Sequence, residues 1–226
     1  MFQLDRTQTL ARIVLDHPVA ARIFQEHRLD FCCRGNVSVD AACAEKGIDA
    51  DRLVHTLEAA IEDRAGNGPS DEDARQLGTA ALTARIVDRH HGYLRRTLPY
   101  LVQLATKVAR VHGEKEPRLV DLRNEVVELR DTLLPHLDQE EEVLFPALVA
   151  RTPDRAIVDR ELAAMHADHL AVGQLLERVR RLADDFVAPG WACNSYRTLF
   201  AELENLEGDT LRHVHLENHA LMPRFV

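Results

Sequence analysis

The chain has 226 residues, 46% apolar and 5% aromatic, with 28 basic and 37 acidic side chains for a formal charge of −9. That length suits one large domain, or a main domain plus a smaller one. The acidic balance gives no general attraction for nucleic acid or an anionic membrane. No apolar run approaches the roughly 20 residues of a membrane span, and no signal-peptide pattern opens the chain. Four cysteines, Cys32, Cys33, Cys43 and Cys193, are too sparse for a disulfide-stapled secreted domain and show no C-x-x-C pair. A soluble, cytoplasmic protein with reduced thiols is expected.

Leu, Ala, Glu and Arg abound and aromatics are few, which favours helix over sheet. The first pieces are short. Thr7 or Thr9 can cap a helix through Leu15, and Pro18 suits the first turn of another ending near Arg28. A loop, Asp30-Phe31-Cys32-Cys33-Arg34-Gly35-Asn36, follows. Ser38 caps a helix ending near Gly47, and Asp49 caps one over Asp51 to Asp63. Residues 65–75, rich in Gly, Pro, Ser and acids, have linker composition. Four longer helical patterns come next, about Glu72 to Val111, Arg118 to Ala150, Pro153 to Asp185, and Trp191 to the C-terminus. The expectation is an all-α protein: a small helical domain over 1–64, a linker over 65–75, and an up-down-up-down four-helix bundle over 76–226.

Each long pattern carries an apolar stripe with steps of three and four. The stripes run Ala80, Ala84, Val87, His91, Leu94, Leu98, Leu101; then Leu122, Val126, Leu129, Leu133, His136, Glu140, Val143. The third runs Val158, Leu162, Met165, His169, Val172, Leu176, Val179, and the fourth Leu199, Leu203, Leu206, Thr210, His213, Glu217, Ala220. Polar residues thus interrupt every stripe near one level. Burying a carboxylate without a partner is costly in free energy or forces a large pKa shift. The two Glu and four His on these inward faces must therefore satisfy one another or bind something, and their spacings point to the second. His136 and Glu140 are four apart, as are His213 and Glu217, so each pair leaves one helix face. Leu144-Phe145-Pro146 and Leu221-Met222-Pro223 follow at identical offsets, and the lone His91 and His169 precede their pairs by 45 and 44 residues.

Two such halves supply four imidazoles and two carboxylates, the donor set of two metals with two His each and both Glu bridging. A mixed N/O set without thiolate suits iron or manganese, and zinc less specifically. Four protein bonds per metal leave positions for an oxo bridge or small ligand. The remaining histidines fit less well. His90 is one residue off the stripe, His215 and His219 point about 200° and 240° from His213, and His166 flanks His169. His112 keeps the His91 register six turns on, a candidate access or supporting residue, with Tyr93 a second candidate beside the site. His17, His27 and His55 are expected at the surface of the N-terminal region. Pro135 removes a backbone donor just before His136, so a kink or restart is expected there.

These residues resemble the hemerythrin-like domain, and specifically the repair-of-iron-centres family of bacterial di-iron proteins. The resemblance covers nearly the whole chain. That family joins a small domain with an Asp-Tyr-Cys-Cys-Gly-Gly signature to the bundle, and the signature here reads Asp30-Phe31-Cys32-Cys33-Arg34-Gly35. The stretch from Leu98-Pro99 to Val111-His112 and the two Leu-x-Pro tails are similar as well. The resemblance implies two non-haem irons, oxo- and carboxylate-bridged, with His91 and His213 on one, His136 and His169 on the other, and Glu140 and Glu217 bridging. It implies a stress-response protein that binds nitric oxide or another diatomic ligand and repairs damaged iron-sulfur proteins by supplying iron, with homodimer formation in keeping. Cys32 and Cys33 would then relay iron or act in redox chemistry, and Arg34 in place of Gly would alter the turn and lower a neighbouring thiol pKa. Oxygen carriers of the hemerythrin type have a fifth His and a final His-x4-Asp pattern; His213-x3-Glu217 departs from it. Two further functions use the same ligands: a di-iron enzyme reducing nitric oxide or peroxide, and an oxygen- or metal-sensing module.

Overall fold

A computed structural model describes residues 3–67 and 73–226. Among them the chain is helical, without a strand; Thr9 and Ser38 form one isolated antiparallel bridge. None of the described helices is long and apolar enough to cross a membrane. The chain divides into two compact units. One comprises residues 1–78 with 211–226, the other Thr79–Thr210.

In the first unit, α1 (Leu10–Asp16) is capped by the Thr9 hydroxyl, which accepts from the Arg12 N–H. After α2 (Ala20–Glu26), α3 (Val39–Lys46) starts at Ser38 and ends on Gly47 with φ +67°, a left-handed cap that only glycine adopts without strain. Asp49 accepts from Arg52 N–H at the start of α4 (Ala50–Asn67). The apolar faces of these helices meet in a core of Leu10, Ile13, Phe24, Phe31, Leu53 and Leu57, which Val214 joins from the C-terminal segment. Residues 68–72 of the expected linker lie outside the described residues. The long helical pattern starts later than Glu72. Asp73 holds Arg75 through both its N–H and its guanidinium, which also reaches Asp16 at 2.7 Å, and Arg224 donates to the carbonyls of Leu77 and Ala74. These contacts commit residues 73–77 to turns.

The second unit is the bundle. Its helices are α5 (Thr79–Ile86) and α6 (Gly92–His112), α7 (Arg118–Gln139) and α8 (Phe145–Val149), α9 (Arg155–Leu182), and α10 (Asn194–Leu216) as far as Thr210. α6 packs on α7 and α7 on α9. α10 is tied to the rest by the ion pair of half-buried Arg180 with buried Glu207 and by His90 Nδ1 against Asp209 at 3.0 Å. Leu94, Leu98, Leu101, Leu122, Val126, Leu129, Val172, Leu176, Leu199 and Leu203 are buried, as their stripes require. Pro135 does not restart the chain: α7 runs unbroken through it, with Leu133 and Leu137 buried on either side. Packing of these neighbours offsets the missing donor.

The helices do depart from α geometry at three places. Single π-helical turns occupy Val87–His91, Glu140–Leu144 and Glu217–Leu221; each closes with an N–H reaching five residues back, Gly92 to Val87, Phe145 to Glu140, and Met222 to Glu217. A π turn inserts about one extra residue and shifts the register beyond it. Leu82 and Ile86 are accordingly buried while Ala80 and Ala84, expected inward, are exposed. Leu144 is buried in place of Val143 for the same reason. Two of these turns lead into Pro146 and Pro223, whose rings would crowd a carbonyl four residues back in a regular helix.

Glu161, near the start of α9, is buried and accepts from Gln139 at 2.7 Å and from Arg160. The Gln139 bond, then the Arg160 bond, hold its carboxyl below the ordinary value of 4.5. A depressed carboxylate stabilises the fold above its unfolded-state pKa and loses that contribution as pH falls through the folded-state value. The stability gap between the wild type and Glu161→Gln is therefore expected at neutral pH and should shrink below about pH 4.5. Urea titrations at several pH values would check this; a gap independent of pH would contradict it.

Candidate metal centre

In the bundle unit, His91 ends the first π turn, His136 lies in the last turns of α7, Glu140 opens the second π turn, and His169 sits midway along α9. All four are buried. The Nε2 of His91 lies 3.4 Å from Glu140 Oε2, while the Nε2 atoms of His136 and His169 lie 3.3 and 4.0 Å from Oε1. One carboxylate thus faces three imidazoles from three helical segments, and the ligand atoms of His136, Glu140 and His169 lie within 4.8 Å of one another. A metal with bonds of about 2.1 Å separates its ligand atoms by about 3 to 4.2 Å, so these spacings fit an ion. The donor set fits as well, since imidazole and carboxylate together suit iron, manganese or zinc.

The outer nitrogens are fixed by carboxylates that the stripe pattern does not reveal. His91 Nδ1 lies 2.9 Å from Glu141 Oε1, and His136 Nδ1 lies 3.2 Å from Asp168 Oδ2. A carboxylate at Nδ1 holds the proton there and leaves the Nε2 lone pair facing Glu140, the tautomer a metal ligand needs. Burial works against the Glu141 charge, but the bonds from His91 and Arg95 outweigh it and keep its carboxyl below the ordinary range. Phe145 stacks on the His91 ring at a centroid distance of 5.7 Å, closing that side with an apolar surface. The run Glu140-Glu141-Glu142 and the Asp168-His169 neighbours were the available signals for these partners.

His112 is not a supporting residue of this cluster. It ends α6, about 30 Å along the helix from His91 at 1.5 Å per residue. There its Nε2 lies 3.2 Å from Cys193 Sγ and its ring packs against Trp191 and Tyr196. Tyr93 is half-buried one residue beyond Gly92, and Glu141 and Asp168 take the supporting places instead. His90, one position off the stripe, is buried on Asp209, and His166 is exposed.

In the other unit, His213 and Glu217 form the second i,i+4 pair, with His213 Nε2 2.9 Å from Glu217 Oε1 and both side chains buried. His215 and His219 lie off this face, as the helical angles require, but they are not idle. His215 Nδ1 donates to the Phe31 carbonyl at 3.0 Å; Asn218 and His219 Nε2 donate to the Cys32 carbonyl at 3.0 and 2.8 Å. The C-terminal segment therefore alternates the His213–Glu217 pair with side chains that pin the Asp30–Gly35 loop. Burial, then the nearby His219, lower the His215 pKa to about 3, so it stays a neutral hydrogen-bond donor. Gly35 is required here, because a Cβ would lie 2.2 Å from the Phe31 carbonyl oxygen. Arg34 needs no glycine: its φ is not positive, and its guanidinium lies 3.8 Å from Glu45 rather than on a thiol. The Cys32 thiol is pushed up, not down, chiefly by its contact with Cys33 and then by burial. His27 and His55 are exposed, whereas His17 is half-buried.

Residues 6–61 match the ScdA_N family, described as a domain of unknown function (DUF542), and residues 82–225 match the hemerythrin HHE cation binding domain. The chain is 35% identical over 218 residues to the iron-sulfur cluster repair protein ScdA of Staphylococcus haemolyticus, covering 96% of each chain. It is also 35% identical over 219 residues to the iron-sulfur cluster repair protein YtfE of Yersinia pseudotuberculosis and of Yersinia pestis, covering 97% of this chain and 96% of theirs. The chain belongs to this family of iron-sulfur cluster repair proteins, with an ScdA_N domain followed by a hemerythrin-like, metal-binding helical bundle.

Proposed function

We propose that His91, His136, Glu140, His169, His213 and Glu217 hold two non-haem iron ions, and that the loaded protein binds nitric oxide and supports repair of damaged iron-sulfur clusters by supplying iron. His91 and His213 serve one ion, His136 and His169 the other, and Glu140 and Glu217 bridge. The carrying observation is the buried Glu140 carboxylate, with one oxygen toward His91 and the other toward His136 and His169. An imidazole–carboxylate set with few protein bonds per ion leaves positions that a diatomic ligand can take and lets iron leave under demand. The chain's own part is to fix the imidazole tautomers through Glu141 and Asp168, and to exclude bulk water with Phe145 and the leucine layers. The names of the relatives support repair as the outcome. Four cysteines in 226 residues, with no C-x-x-C pair, support a reducing, cytoplasmic setting.

Titrating the diferrous protein with nitric oxide tests the first half. A new iron-nitrosyl spectrum saturating with added gas is expected; an unchanged spectrum in excess nitric oxide would overturn the binding claim. For repair, the iron-loaded protein should restore a damaged cluster enzyme, and a Glu140→Leu variant should not. Multiple turnovers with an electron donor would instead identify a di-iron reductase.

A further inference from the structure

The Asp30–Gly35 loop brings together a second set of donors that shares no residue with the six. Asp30 Oδ1 accepts from the Cys32 and Cys33 backbone N–H groups at 3.1 and 2.8 Å and lies 3.3 Å from Cys32 Sγ. Cys32 Sγ lies 3.6 Å from Cys33 Sγ, and the three ligand atoms are all within 4.8 Å of one another. These are the edges of a coordination tetrahedron. Metal–sulfur bonds of about 2.3 Å at the tetrahedral angle set two sulfurs about 3.8 Å apart, and a carboxylate oxygen at about 2.1 Å sits about 3.6 Å from each sulfur. The loop is already held in that shape. His215 fixes the Phe31 carbonyl, Asn218 and His219 fix the Cys32 carbonyl, and Phe31 is buried beneath.

We propose that Asp30 Oδ1, Cys32 Sγ and Cys33 Sγ form a three-ligand site for a thiolate-preferring divalent cation of the zinc or ferrous class. Cys33 is half-exposed, so a cation can reach these donors from solvent. Binding forms two S–M bonds and one O–M bond, the two S–H protons pass to solvent, and no electrons are exchanged. Without a cation, thiolates are disfavoured here: Cys33 and burial push the Cys32 thiol up, and the Asp30 charge adds to them. A dication removes that conflict, so binding should release protons and strengthen as pH rises. The two thiolates set this site's metal preference apart from that of the His/Glu centre.

Cobalt(II) is the probe, added to the reduced full-length protein. Thiolate-to-cobalt charge transfer in the near ultraviolet should saturate at one equivalent, because imidazole and carboxylate ligands give no such band. The band should vanish in Cys33→Ser, whose side chain is half-exposed and whose replacement leaves the core intact. Asp30→Asn should weaken cobalt binding at least tenfold, and Cys193→Ser should leave it unchanged. Glu140→Gln should also retain the band, so failure of the His/Glu centre and failure of this site are told apart. No charge transfer in the reduced protein, or a band that persists in Cys33→Ser, would overturn the proposal.

Discussion

Replacing Glu140 by Gln is expected to reduce the iron in anaerobically prepared protein from about two ions per chain to fewer than about one, with helix content unchanged. The amide keeps the volume and the hydrogen-bonding reach of the carboxylate, so packing among His91, His136 and His169 survives. It loses the charge that two neighbouring cations need between them, and one amide oxygen cannot replace two carboxylate oxygens. A buried carboxylate is costly without a cation, so the variant should be no less stable than wild type when both lack metal. Metal analysis beside circular dichroism checks both parts. Full iron retention in the variant would remove Glu140 from the bridging role.

Phe31→Ala carries a large expected stability cost. Phe31 is 1% exposed, lies 6.2 Å from Phe24 between ring centroids, and meets the edge of His215 at 5.5 Å. Truncating a buried Phe typically costs about 3–5 kcal/mol. Here it would also loosen the loop whose carbonyls His215, Asn218 and His219 hold. The expected result is a lower urea midpoint together with faster labelling of Cys32 by a thiol reagent, since that thiol is now 2% exposed. Labelling at the wild-type rate would show that Phe31 does not organise the loop.

The helical class, the leucine layers and the inward level of His91, His136, Glu140 and His169 were legible in the sequence because apolar periodicity and buried charge obey local rules. The duplicated His-x3-Glu and Leu-x-Pro offsets were legible for the same reason. The π turns were not. A pattern read at 100° per residue takes Ala80 and Ala84 as inward, but an inserted residue at Val87–His91 turns Leu82 and Ile86 inward instead. Pro146 and Pro223 marked two of these places, and their steric meaning becomes clear only with the wide turns that precede them. Glu141, Asp168 and Asp209 were also missed. Each sits off the stripe, and its role depends on which helix lies opposite, a tertiary fact. His215 and His219 were placed off the metal-facing stripe, and their partners, carbonyls more than 180 residues away, could not be read from spacing.

Metal analysis of anaerobically purified protein tests the central claim most directly. About two irons per chain, falling in Glu140→Gln, are predicted by a centre with four imidazoles and two bridging carboxylates. Zinc alone, or a single metal per chain, would contradict it.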